Sequence, residues 1–531
     1  MKNIKRICTL IMVLAMVMAL AVPAMAADEG KFDIVINHPQ QLTDHEYEAY
    51  QIFSGELHTD ATGKEILSTI EWGSGVNGAN ILTALKADTT YGALFATAES
   101  AQDVADIISA NNTNTALVDT FRHIVGENLV ASAAVAPTSI DAGTGTYTWS
   151  DVDAGYYLIK DKDGSLEGSE ETATNYILQV VGDTNVNPKG GKVTHDKLIE
   201  DGGNRVEAAD YSIGDSVKFV LRGTLPSNYA DFETYEYVFV DTLSAGLTFN
   251  NDVKVYLENA GNKTELTSGF VVNYENPSVA GATFTVDFAD LKAITGRTID
   301  QHTTIVVEYT ATLNEDAVIG GNGNPNISYI IFDNDPHNDG KGETPEDKVY
   351  AFTWELDVFK IDGSNNKLAD AKFILYREIG GAKEYAQVTN GVLSGWTATE
   401  TEATTLVSDA EGKFIIKGLE ADVYYLKETE APDGYHLLDE VITVDITASV
   451  SESEDGTKGV VDSLQIKVDN HPYRDGDKTT GIVSMQVVNN PGATLPETGG
   501  IGTTLFYVFG GLMVAAAVIL LVTKKRMAYE A

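Results

Sequence analysis

Over most of this chain apolar residues recur at every second position, in short runs that stop at Gly, Asn, Asp or Pro. That period suits a pleated strand with one buried face, and few other structures. Phe32, Ile34 and Ile36 alternate with Asp33 and Asn37; Leu356 and Val358 flank Asp357; Val483, Met485 and Val487 alternate with Ser484 and Gln486. Further strand-like runs lie at 146–160, 175–181, 216–221, 235–240, 283–288 and 303–313, and throughout 350–490. Turn signals at Asp362-Gly363, Glu411-Gly412 and Pro432-Asp433-Gly434 divide the last of these. One stretch departs from the pattern: within 81–130, Leu117, Phe121, Ile124, Val125 and Leu129 recur at helical spacing.

The expected fold class is therefore all-β, tandem immunoglobulin-like β-sandwich domains, the N-terminal one carrying a helical insertion. Two stretches punctuate the chain: the Pro/Gly-containing Asn185-Val186-Asn187-Pro188-Lys189-Gly190-Gly191 and the acidic 333–347. They predict domains at 27–187, 188–346 and 347–494.

Both ends read differently. Residues 1–26 place Lys2, Lys5 and Arg6 before an apolar run that ends at Pro23 and Ala24-Met25-Ala26, the pattern of a secretory signal peptide. Residues 501–523 carry no charge and precede Lys524, Lys525 and Arg526 in a basic tail, 524–531. At ~1.5 Å per residue such a helix crosses a ~30 Å hydrocarbon core, with the basic residues held on the cytoplasmic side. Just before it stands Leu495-Pro496-Glu497-Thr498-Gly499.

Composition narrows the function. The sole cysteine, Cys8, lies in the predicted signal peptide, so no disulfide is expected to brace the secreted part. The formal charge is −42, and the ends hold six of the basic residues against one acid, Glu530. Such a surface repels phosphate backbones and excludes nucleic acid as a partner. At 43% hydrophobic residues the chain is nonetheless apolar enough to fold. Asp333, Asp335 and Asp339 stand near His337, but Gly340 is misplaced for a calcium loop, so no metal is expected. No catalytic triad order, phosphate-cradling Gly loop or Cys/His metal spacing stands out.

The chemistry suggested by the pattern comes from polar residues at apolar positions. Lys360 shares the face of Leu356 and Val358, Glu428 that of Tyr424 and Leu426, and Asn489 that of Met485 and Val487. A buried lysine or carboxylate is costly unless paired, and burial lowers the one pKa while raising the other. A neutral amine beside a carboxylic acid and an amide could attack the amide and expel ammonia. A parallel set lies upstream: Lys197 on the Val193 face, Asp241 on that of Tyr237 and Phe239, and Asn326 on that of Ile330 and Phe332. Asn334 has the parity of Asn326, and the pattern does not separate them.

Several segments carry a family resemblance. LPETG, an apolar span and a basic tail resemble the cell-wall sorting signal of Gram-positive surface proteins. Val358-Phe359-Lys360-Ile361-Asp362, the run from Tyr425 through Glu428 and Ala431-Pro432-Asp433-Gly434-Tyr435, and Val488-Asn489 are similar to the collagen-adhesin B-type domain. Lys197, Tyr211-Ser212-Ile213-Gly214-Asp215, 241–248 and Tyr309-Thr310-Ala311-Thr312-Leu313-Asn314 resemble the isopeptide-forming middle domain of fimbrial major subunits. Tyr47-Glu48-Ala49-Tyr50-Gln51-Ile52-Phe53-Ser54-Gly55 looks like their first domain, and Val186-Asn187-Pro188-Lys189 like the end of their acceptor motif, with Asn187 replacing an aromatic.

The resemblance, to the major pilins of sortase-assembled pili, implies a structural subunit and not an enzyme, apart from its single-turnover self-crosslinking. It implies internal bonds Lys360 to Asn489, assisted by Glu428, and, assisted by Asp241, from Lys197 to an asparagine for which Asn326 is favoured and Asn334 is the alternative. It further implies cleavage after Thr498 and transfer to Lys189, with Lys192 as the alternative acceptor. No cofactor is implied. The implied partners are a pilin-specific and a housekeeping sortase, identical subunits, minor tip and base pilins, and peptidoglycan. The localisation implied is the cell wall, as a surface fimbrium. A monomeric wall-anchored adhesin is the alternative reading.

Overall fold

The computed structural model describes residues 30–38, 44–61, 63–188, 191–336, 339–491 and 501–527. Its first unit packs two four-stranded sheets together. One runs Ser139–Asp141, Thr146–Asp153, Lys31–Asn37, Thr184–Val186; the other Glu65–Trp72, Tyr47–Thr59, Gly155–Asp161, Asn175–Val180. Ile34, Ile36, Tyr47, Ala49, Trp149, Ile159, Leu178 and Val180 fill the space between them. The strand expected at 146–160 is two strands in different sheets, because the chain bends at Ala154, shortly after the apolar parity changes between Trp149 and Val152.

The helical insertion covers the second sheet's other face. Gly78–Ala87, Ala101–Ala110 and Thr115–Gly126 each start from a side-chain cap, Asn77, Ser100 and Asn114, and Ser100 forms a reciprocal capping box with Asp103. Their apolar stripe of Ile81, Leu85, Val104, Leu117, Phe121 and Val125 packs with Tyr50, Ile52, Phe53 and Leu158. Opposite parities of one strand thus serve two cores: Tyr47 and Ala49 face the partner sheet, Tyr50 and Ile52 the helices.

The middle unit is a sandwich of two seven-stranded sheets. The first runs Asn204–Val206, His195–Asp201, Ser216–Thr224, Thr304–Leu313, Lys254–Asn259, Asn262–Leu266, with Leu247–Phe249 also on Thr304–Leu313. The second runs Ala208–Asp210, Asp347–Phe352, Asn324–Asp333, Tyr237–Leu243, Phe284–Phe288, Val271–Asn273, with Lys341–Glu343 on Asn324–Asp333. Phe219, Phe239, Phe284, Phe288 and Tyr309 lie in the core between them.

The expected boundary at 346/347 moves. Asp347–Phe352 pairs antiparallel with Asn324–Asp333 and so belongs to the middle sandwich. Its two faces are both buried: Val349 and Ala351 enter the middle core, Tyr350 and Phe352 the next one. Each large apolar side chain fully buried this way contributes about 1.5–3 kcal/mol, so separating the two units would expose a substantial apolar surface. The contact is close enough elsewhere to require glycine. A Cβ on Gly320 would lie 2.3 Å from the Gly481 Cα, and both residues have positive φ, 57° and 71°.

The third unit is one curled path of strands around a core of Trp354, Leu356, Val358, Phe373, Ile416, Leu426, Met485 and others. The first and last strands, Trp354–Asp362 and Ile482–Asn489, lie side by side and parallel, in register from Glu355↔Ile482 to Asp362↔Asn489. Beyond, Ile501–Met527 is a helix in which Thr504–Arg526 has a mean hydropathy of 2.6, long and apolar enough to span a membrane.

Candidate functional site

In the third unit, parity and pairing bring Lys360, Glu428 and Asn489 together. Lys360 lies on the first strand and Asn489 at the end of the last, while Glu428 comes from Val423–Glu430 on another part of the sheet path. Lys360 and Asn489 have no solvent exposure, and Glu428 is buried. The Lys360 Nζ is 4.0 Å from Glu428 Oε1 and donates to the Val487 carbonyl at 3.2 Å. Asn489 Nδ2 donates to both Glu428 oxygens at 3.0 Å and to the His436 carbonyl at 2.9 Å.

The Pro432-Asp433-Gly434 turn explains part of this geometry. Gly434 takes φ 88°, Tyr435 N–H donates to the Pro432 carbonyl, and the chain folds back over the strand end. The return places the His436 carbonyl against Asn489 and the Leu438 N–H against Glu428 Oε2, 2.9 Å away. Burial holds the Lys360 amine down at about 8, with the Glu428 charge opposing.

The middle unit holds the corresponding set, arranged differently. Lys197, Asp241 and Asn326 are wholly buried, on His195–Asp201, Tyr237–Leu243 and Asn324–Asp333. Asp241 pairs with Ser328 across the ladder, so Asn326, two residues earlier, shares its face. Lys197 Nζ donates to Asp241 Oδ2 at 2.5 Å and to the Tyr309 hydroxyl at 3.2 Å. Tyr309 donates to the same Asp241 oxygen at 2.7 Å and accepts from Asn326 Nδ2 at 2.6 Å.

Aromatic rings keep this pocket dry. The Phe219 and Tyr309 rings each lie 5.7 Å from Lys197 Nζ, and Phe249 and Phe284 pack on Tyr309. Burial pushes the Lys197 amine below its ordinary value against the pull of Asp241, and pushes the Asp241 acid up against the pull of Lys197. Both shifts favour a neutral amine beside a protonated acid.

Each site also leaves one amide oxygen without a donor: Asn326 Oδ1 and Asn489 Oδ1 are buried and unpaired among the described residues. A buried acceptor left this way costs roughly 1–3 kcal/mol. Amine, carboxyl group and amide thus share one buried cluster, linked by Glu428 in the third unit and through Asp241 and Tyr309 in the middle one, the elements of an amine-for-ammonia exchange.

Asn334 is elsewhere. Its Nδ2 donates to the Leu166 carbonyl and its own carbonyl accepts from Ala173 N–H, so it seals the junction with the first unit. Asp333 is bound by Lys341 and the Glu236 N–H. Lys192 lies on a short strand against Glu171–Thr172 and pairs with Glu170. Lys189, His337 and Leu495, Pro496, Glu497, Thr498 and Gly499 fall outside the described residues, as do 1–29. Two features had no role assigned from the sequence. Tyr309 stood there only within the 309–314 segment of the family resemblance, on the apolar parity of Ile305, Val307 and Ala311. In the first unit, buried His45 bridges Asp161 at 2.7 Å and Glu171 at 3.2 Å, three residues far apart in sequence.

A family model described as a prealbumin-like fold domain matches residues 355–458, and one for the LPXTG cell wall anchor motif matches 487–528. The trypsin-resistant surface T6 protein of Streptococcus pyogenes serotype M6 is 24% identical over 376 residues, 60% of this chain and 66% of that protein, just under two thirds of its length. The solved T6 backbone pilin of that serotype, described as having a modular three-domain structure, matches at 16% identity with a TM-score of 0.52, over 88% of this chain and 100% of that one. The full-length major pilin SpaD from Corynebacterium diphtheriae matches at 16% identity with a TM-score of 0.46, over 88% and 99%. The T6 match shows a shared multidomain β fold.

Proposed function

We propose that this cell-wall-anchored surface protein is the backbone subunit of a sortase-assembled pilus, cleaved after Thr498 and joined through it to Lys189 of the next copy. Two internal amide bonds, Lys197 to Asn326 and Lys360 to Asn489, brace it. The observation that carries this reading is the coexistence, in one chain, of a wall-anchor motif and two buried clusters that each bring together an amine, an acid and an amide.

The proposed bonds define where load travels. Tension arriving at Lys189 would reach Lys197 within one short stretch, cross to Asn326, and continue through the strand shared by the middle and third units. From Trp354–Asp362 it would cross again, from Lys360 to Asn489, and leave toward Thr498. Because the first and last strands of the third unit are parallel neighbours, the hydrogen-bonded residues between them would bear no load. The first unit precedes Lys189 and hangs outside the path. Lys192 is the less suitable acceptor, since its ammonium is held by Glu170 and its backbone by a sheet pairing.

Tandem mass spectrometry of cell-wall digests tests the joint, with a branched Thr498–Lys189 peptide as the expected species. Lys189→Ala should collapse the high-mass ladder of wall extracts to monomer, and Lys192→Ala should leave it intact. A ladder unaffected by Lys189→Ala would overturn the assignment of the acceptor.

A further inference from the structure

The two clusters differ in how the carboxyl group reaches the amide. Glu428 touches it directly, with both oxygens 3.0 Å from Asn489 Nδ2. Asp241, one methylene shorter, makes its side-chain bonds to Lys197 and Tyr309, and among the described residues none to Asn326. The Tyr309 hydroxyl fills the gap: it donates to Asp241 at 2.7 Å and accepts from the Asn326 nitrogen at 2.6 Å. The geometry points to Tyr309 as a catalytic residue of the middle-unit crosslink, its hydroxyl relaying a proton between Asp241 and the nitrogen that leaves Asn326. This rests on reading Lys197 and Asn326 as bond partners.

The relay balances. The Lys197 ammonium gives a proton to the Asp241 carboxylate, leaving an amine and a carboxylic acid. The amine lone pair attacks Cγ of Asn326; a C–N bond forms and the carbonyl π pair moves to Oδ1. The amide nitrogen, no longer conjugated, becomes basic. Tyr309 gives that nitrogen its hydroxyl proton and takes the one on Asp241. The Cγ–Nδ2 bond then breaks, its electron pair leaving with ammonia as the carbonyl reforms. The surplus proton on the attacking nitrogen passes to Asp241. Ammonium, carboxylate and primary amide have become secondary amide, ammonia and carboxylic acid, with no net change in charge.

The environment suits this role. Burial raises the Tyr309 hydroxyl well above the ordinary tyrosine range, so it keeps the proton it must pass on. Its ring is fixed by Phe219, Phe249 and Phe284, which stand 5.3, 5.8 and 4.8 Å from it between centroids. A positioned proton donor of this kind contributes on the order of 10²–10⁴-fold in rate.

Tyr309→Phe removes one oxygen and leaves the ring. In the full chain, digested at intervals after synthesis, the branched peptide joining the Lys197 and Asn326 segments should form on the order of 10²–10⁴-fold more slowly. The Lys360–Asn489 peptide should form as in the wild type and report a folded chain. Absence of the Lys197–Asn326 peptide from the wild type overturns the underlying reading; its presence, with an unchanged rate in Tyr309→Phe, overturns the relay alone. Adding Asp241→Glu to Tyr309→Phe lengthens the acid to the reach of Glu428 and should restore the bond. A double variant as slow as Tyr309→Phe would mean that the hydroxyl acts through packing, and overturns the relay.

Discussion

Replacing Glu428 by glutamine keeps the side chain's length and an acceptor for the Leu438 N–H, and removes the group able to carry a proton between Lys360 and Asn489. On the proposed chemistry the Lys360–Asn489 bond then fails to form. That bond closes a loop of about 130 residues, for which the chain-entropy relation gives roughly 5 kcal/mol, an upper value because it was built for disulfides. One kcal/mol moves a melting temperature by about 4–8 °C in small domains and 2–4 °C in larger ones, so the third unit should melt on the order of 15–25 °C lower. Intact mass and calorimetry together read the result. The wild-type chain should be light by two ammonias and the Glu428→Gln chain by one, with only the third-unit transition displaced. Lys360→Met, which removes the buried amine and leaves the Glu428 carboxyl without its cationic neighbour, should lose the same bond and at least a similar share of stability. The reasoning is refuted if Glu428→Gln remains light by two ammonias, or if it loses the bond and still melts within a few degrees of the wild type.

Two further outcomes follow from the buried bases. In an Asn489→Ala chain Lys360 stays a free amine, held by burial at about 8 against an ordinary 10.5, with Glu428 opposing. Between those values the unfolded chain binds the proton and the folded chain does not, so the third unit should grow more stable as pH rises from about 8 to 10.5. A melting temperature that is flat or falls across that window would contradict it. In the first unit, burial lowers the His45 imidazole, but Asp161 and Glu171 outweigh it and raise it from 6.5 to about 9. His38 and Tyr47 pack on the ring, and the Tyr147 hydroxyl binds its carbonyl. The folded form keeps a proton that the unfolded form releases, so this stabilisation is full below 6.5 and lost as pH rises through about 9. His45→Gln should lower the first unit's melting temperature below pH 6.5 and flatten its decline above; parallel curves for the two proteins would refute the assignment.

How much of this was visible without coordinates depends on whether the signal is local. A two-residue period is a property of one strand, so the buried faces carrying Lys360, Glu428 and Asn489 could be read from their neighbours, as could the stripe of Leu117, Phe121 and Val125 on its helix. Parity fixes a face, however, and not a neighbour. Asn326 and Asn334 share a parity, yet one, inside Asn324–Asp333, meets Tyr309 in the sandwich core, and the other, just past that strand's end, meets Leu166 of the first unit. Across 146–160 strand-forming residues continue on both sides of a bend at Ala154 that sends the chain to a second sheet, so composition alone did not mark it.

Sequence alone thus determined that this chain forms strands with polar groups on buried faces, and that it carries an LPETG motif before an apolar span. Tertiary structure decided which of those groups meet. It placed Tyr309 between Asp241 and Asn326, set His45 between two acids, and gave Asp347–Phe352 to two cores at once. The physical reason is that strand periodicity is set by backbone geometry within a few residues, whereas hydrogen bonds among buried side chains depend on register between strands distant in sequence.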